Sequence, residues 1–127
     1  MLAFGSRGWS MPAHQRVEVS EVDDVTVVRF VDRKILDMAN IQELGNELFE
    51  LVESNQRQRL LLDFSGVEFV SSAALNKLIL LERSVKKHGG QLKLCCLRPE
   101  IQEVFEITRL NQMFEVFDGQ SDALAAF

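Results

Sequence analysis

The sequence predicts an α/β domain in which a mixed, mostly parallel sheet carries packed helices, in the order β-β-α-β-α-β-α-β-α. Three observations point there. Strand-like runs alternate with helical runs along most of the chain, the pattern of parallel strands joined by helical crossovers. Leu60, Leu61, Leu62 and Phe64 are apolar without alternation, as in a strand covered on both faces. Two long runs place leucine and valine at helical spacing with charged residues between them.

The elements follow in order. Residues 1–16 mix Gly5, Ser6, Gly8, Ser10 and Pro12 without a period. They are expected to form a disordered tail ahead of a single domain at 17–127, with Met11 as a second possible start. Val17 and Val19, then Val25, Thr26, Val27, Val28 and Phe30, are two β-rich runs joined by a turn at Asp23-Asp24. The charged stretch from Arg29 to Lys34 is expected to end the second strand, and Asp37 is a candidate N-cap. Ile41, Leu44, Leu48, Leu51 and Val52 then mark an amphipathic helix from about Met38 to Ser54.

After the buried strand, a second helix is expected from Ser72 to Lys87. Ala74, Leu75, Leu78, Ile79, Leu81 and Val85 form its apolar stripe, and Asn76, Lys77, Arg83, Lys86 and Lys87 its polar face. His88-Gly89-Gly90 stops it, because glycine enters the left-handed region at little cost. Gln91 to Leu97 reads as a strand. Pro99 suits the first turn of a helix with Ile101, Val104, Phe105 and Thr108 on one face. Leu110 to Met113 links to a strand around Phe114, Val116 and Phe117. Ser121 or Asp122 then caps a last helix, Ala123 to Phe127.

The composition narrows the function. At 127 residues the chain suits one domain, and 46% hydrophobic with 26% charged residues fits a folded protein rather than a disordered one. A net charge of −5 lacks the basic footprint of a nucleic-acid binder. Nothing approaches the apolar length of a membrane span, and the first residues have no signal-peptide core. The two cysteines, Cys95 and Cys96, are adjacent in a predicted strand. Their side chains should therefore point to opposite faces and not pair, and no second pair exists to complete a zinc site. They suit a reducing compartment, which places the chain in the cytoplasm. No helix shows a second apolar stripe, so a monomer is expected.

Catalytic equipment is sparse. His14 lies in the tail and His88 in a helix-ending turn; no nucleophile elbow, P-loop or dinucleotide fingerprint is present. Asp63, ending a buried strand, resembles the catalytic or metal-binding aspartates of many α/β proteins; with Ser65 it suits at least as well the capping of turn N–H groups. No catalytic residue, cofactor or metal is assigned, and the chain is not read as an enzyme. What stands out is Ser71-Ser72 at the start of a helix, where outward N–H groups and the helix dipole favour negative charge. One serine is expected to be the N-cap, and one is a candidate phosphoacceptor; spacing does not say which.

At Asp63-Phe64-Ser65-Gly66-Val67-Glu68-Phe69-Val70-Ser71-Ser72-Ala73-Ala74-Leu75 the chain resembles the STAS-domain family, and within it the bacterial anti-sigma factor antagonists. Their signature is an apolar strand followed by Asp-x-Ser-x-Val-x-aromatic-apolar-Asp-Ser-Ser/Thr-Gly-Leu. The resemblance continues through Gly89-Gly90-Gln91-Leu92, Pro99-Glu100 and Phe105 to Leu110. It implies an antagonist that binds an anti-sigma factor acting also as a serine kinase, is released when phosphorylated, and is restored by a phosphoserine phosphatase. It places the phosphoacceptor at Ser72, with Ser71 the second choice. The partner-binding residues it implies are Ser71, Ser72, Ala73, Asn76 and Lys77; Leu80, a leucine on the polar side of the same helix, is a further candidate contact. Ser71 stands where the family has aspartate and Ala74 where it has glycine, and residues 32–40 depart from the corresponding loop. The alternative is a STAS scaffold that is not phosphorylated, an interaction subunit of a stress-sensing or transporter complex.

Overall fold

A computed structural model describes residues 17–36, 38–53 and 58–127. The N-terminal tail, Asp37 as N-cap and Ser54 as helix end lie outside the described residues.

Two strands, β1 (Val17–Val22) and β2 (Val25–Phe30), form an antiparallel hairpin. Asp23 and Asp24 both take positive φ, 50° and 69°, the conformation of a two-residue turn whose twist matches the strands. Beyond β2 the sheet is parallel throughout. β4 (Arg59–Asp63) pairs with β2, β6 (Gln91–Cys95) with β4, and β7 (Glu115–Phe117) with β6, giving the order β1-β2-β4-β6-β7. The crossovers are α1 (Met38–Glu53), α2 (Ser72–Lys87) and α3 (Pro99–Ile107), and α4 (Gln120–Ala125) closes the chain.

The two faces of the sheet are unequal. Val28, Phe30, Leu60, Leu62, Leu92 and Leu94 point into the large core under α1, α2 and α3. A row of rings from Phe30 through Phe64 and Phe105 to Phe114 runs through it, with centroids 4.8, 6.4 and 6.0 Å apart. On the other face Val25, Val27, Leu61 and Cys95 pack against Ala123 of α4. Lys93 is buried there as well. Its Nζ sits 2.6 Å from a Glu115 carboxylate oxygen and lies over the rings of Phe117 and Phe127. β4 is therefore buried on both sides, which explains its unbroken apolar run.

Several sequence expectations are corrected. A second, two-stranded sheet pairs β3 (Lys34–Ile35) in parallel with β5 (Phe69–Val70). Each strand has two residues, too short for a readable alternation, and forms only because the other is beside it. The sixth strand ends at Cys95 rather than Leu97, because Cys96 is left-handed at φ 65° and turns the chain out of the sheet. Leu110–Gln112 is a 3₁₀ turn rather than a plain link. Gly119, not Ser121 or Asp122, is the N-cap of α4, which starts one residue before that serine. Thr108 leaves the apolar face of α3. It is the exposed C-cap, and its Oγ1 donates to the Val104 carbonyl at 2.7 Å.

At the far end of the sheet, α2 stops as expected. His88 is the C-cap with Nδ1 2.8 Å from the Ser84 carbonyl oxygen, and Gly89 takes φ 77°. Gly90 is required for space: a Cβ there would lie 2.5 Å from the Gln58 carbonyl oxygen. Among the described residues no helix is long and apolar enough to cross a membrane.

Candidate functional site

The serine pair is positioned by a sequence of turns leaving β4. Asp63 Oδ1 accepts the Ser65 N–H at 2.8 Å, and Val67 N–H returns to the Phe64 carbonyl at 2.9 Å. Asp63 Oδ2 accepts from the Gln120 amide at 3.0 Å, which fixes the carboxylate from the opposite side. Phe64 and Val67 are fully buried and anchor the turn in the large core. The Asp63–Ser65 pair thus serves the turn, one of the two roles the sequence left open.

Beyond the turn, Arg33 clamps the chain. Its carbonyl accepts the Glu68 N–H at 2.7 Å, and its guanidinium meets the Glu68 carboxylate at 2.8 Å. That hydrogen bond holds the Glu68 carboxyl below its ordinary value. The β3–β5 pairing continues the clamp, and Ser71 N–H donates to the Ile35 carbonyl at 3.0 Å.

At the helix start the serines part in role. Ser71 is the N-cap of α2, in extended conformation, and its Oγ accepts the Ala74 N–H at 3.2 Å. Ser72 is the first helical residue and is exposed. Spacing left the N-cap open between the two; the extended backbone at Ser71 makes it the cap.

The other residues named from the sequence fall on one surface to different degrees. Ser72, Asn76 and Leu80 are spaced four apart on α2 and all exposed, Leu80 at 39%. Ala73 and Lys77 are half-buried, and Lys77 Nζ donates to Gln42 of α1 at 3.4 Å. Sequence reasoning missed the apolar rim beside them. Phe69 of β5 is 49% exposed, Leu36 just after β3 is 51% exposed, and Met38 at the start of α1 is 61% exposed. The β3–β5 register ends with Ile35 opposite Val70, and Ser71 N–H donates to the Ile35 carbonyl, so Leu36 leaves β3 next to the start of α2. Phe69 follows the buried Val67 with one residue between them, so a strand pattern suggests the same side. Only the short second sheet turns it outward.

Glu82 of α2 was also missed. It sits within the apolar stripe between Leu81 and Val85, 5% exposed, with its Oε1 unpartnered. Burial pushes its carboxyl above the ordinary value.

The STAS domain family model matches residues 16–123. The chain belongs to the STAS domain family. BtrV of Bordetella bronchiseptica, named as an anti-sigma factor antagonist, is 34% identical over 93 residues, spanning 73% of this chain and 79% of that protein. The crystal structure of TM1081 from Thermotoga maritima, named likewise, superposes with a TM-score of 0.77 at 23% identity, covering 89% of this chain and 95% of that one. The Bacillus cell-fate determinant SpoIIAA in its phosphorylated form gives 0.68 at 14% identity, covering 87% and 97%. The two structural likenesses establish the STAS fold; the family rests on the sequence matches.

Proposed function

We propose that this STAS domain is an anti-sigma factor antagonist that works by phosphorylation-controlled partner switching in the cytoplasm. In this reading it is a binding module rather than an enzyme. The surface formed by Ser72, Asn76 and Leu80, with Leu36, Met38 and Phe69 beside it, docks on an anti-sigma factor that is also a serine kinase. Transfer of a phosphoryl group to Ser72 Oγ ends the docking, and a phosphoserine phosphatase restores it.

The observation that carries this reading is the division between the serines. Ser71 Oγ is engaged with Ala74 N–H, while Ser72 is an exposed residue at the first position of a 16-residue helix. A phosphate there adds about −1.5 to −2 charges. At a helix N-terminus that charge is tolerated by the fold, so its effect falls on the apolar rim. Burying a phosphate against Leu36, Met38 and Phe69 would strip its hydration without pairing it. Release therefore needs no change of fold. The resemblance to proteins named as antagonists supports the same role. Ser71 in place of the family aspartate supplies the cap that an aspartate would also supply.

Intact mass and peptide mapping of protein recovered from its host test the reading. A single phosphate on Ser72 is expected, and pull-down with Ser72→Ala should retain a kinase-like partner that Ser72→Asp loses. Phosphate confined to Ser71, or equal capture by both variants, would overturn it.

A further inference from the structure

Where β6 leaves the sheet, the two cysteines come together with Asp63. Cys96 is left-handed at φ 65°, a conformation that strains a non-glycine residue. It brings the Cys96 sulfur 3.3 Å from that of Cys95 instead of onto the opposite face. The β4–β6 register sets Asp63 beside Cys95, and one donor atom from each of the three residues lies within 4.8 Å of the others. Cys95 and Asp63 are buried and Cys96 is half-buried, so the cluster opens to solvent on one side only. Gln120 of α4 holds the carboxylate, fixing the cluster between two strands and a helix.

We propose that Asp63, Cys95 and Cys96 form a binding site for a thiophilic divalent cation of the zinc class. Two sulfurs and one carboxylate oxygen are donors that such ions accept, with solvent completing a tetrahedron on the open side. A direct disulfide suits the geometry less. Adjacent Cα atoms are about 3.8 Å apart, below the ~4.4–6.8 Å that disulfides span. A bridging ion asks only that the sulfurs open to about 3.8 Å, their separation in a tetrahedral site with bonds of about 2.3 Å. The half-buried Cys96 has room to make that shift. On binding, the two thiol protons pass to solvent and the ion takes both thiolates.

Cadmium is a direct probe on the full, reduced chain, because its thiolate bonds absorb in the ultraviolet. Titration should give a charge-transfer band that saturates at one cadmium per chain, and a large excess of zinc should weaken it by competition for the same thiolates. Cys96→Gly relieves the left-handed backbone, so it should melt no lower than the parent and lose the band. If it does melt lower, Cys96→Ser carries the same test. Asp63→Asn keeps an acceptor for the Ser65 N–H and should bind at least tenfold more weakly. Absence of a saturable band, an unchanged band in the Cys96 variant, or unchanged affinity in Asp63→Asn would each overturn the site.

Discussion

The exits of β4 and β6 lie side by side, joined by the Phe64 N–H donating to the Cys95 carbonyl at 3.0 Å, yet they are built for opposite purposes. The β4 exit extends outward through an Asx turn, an Arg33 clamp and a serine cap, and delivers an exposed serine to a long helix. The β6 exit turns at once through a left-handed cysteine and keeps its reactive groups inside. Its helix, α3, starts at Pro99 with no side-chain cap on Arg98. Two adjacent crossovers of one parallel sheet thus present different chemistry, because the first residues after each strand, not the strands, decide where side chains go.

The largest expected effect breaks both exits together. Phe64 is wholly buried between Phe30 and Phe105 and supplies the N–H that joins the exits. Phe64→Ala should cost about 3–5 kcal/mol, measured by urea unfolding. The next separates the serines. Ser71→Ala removes the α2 cap and should cost about 1 kcal/mol; Ser72→Ala, at an exposed first-turn position, should fall within about 0.5 kcal/mol of the parent. Equal losses would remove the structural distinction between them. At the β6 exit the sign reverses, since Cys96→Gly should raise stability by roughly 0.5–1 kcal/mol, the relief of about 1–2 kcal/mol of left-handed strain less the entropy cost of glycine, read from the same unfolding curves.

The smallest effect depends on pH. Burial raises the Glu82 carboxyl above its value in the unfolded chain, so the folded state binds the extra proton. Its contribution to stability is therefore lost as pH rises from about the ordinary carboxyl value of 4.5 through the raised folded value. Glu82→Gln, which does not ionise, should melt higher than the parent at pH 7, and the difference should shrink as pH falls toward 4. A constant difference across that range would assign the effect to packing instead.

Much of this was legible in the chain itself. Unbroken Leu60-Leu61-Leu62 marks a strand covered twice, Asp23-Asp24 a tight hairpin, Gly89-Gly90 a helix stop, and Ser71-Ser72 a helix start. Each depends on residues within a turn or two of one another, where backbone propensity and capping act. The family signature is local for the same reason. What the sequence left open or misread depends on contacts between distant segments. The β3–β5 pair exists only because residues 34–35 and 69–70 meet, and with it came the outward turn of Phe69 and Leu36. The choice of Ser71 as cap needed the backbone angle at that residue. The cysteines were read as strand neighbours facing apart. One positive φ and the parallel register of β4 with β6 bring them together with Asp63, more than thirty residues earlier in the chain. Local chemistry wrote the elements into the sequence; register between strands decided which side chains share a place.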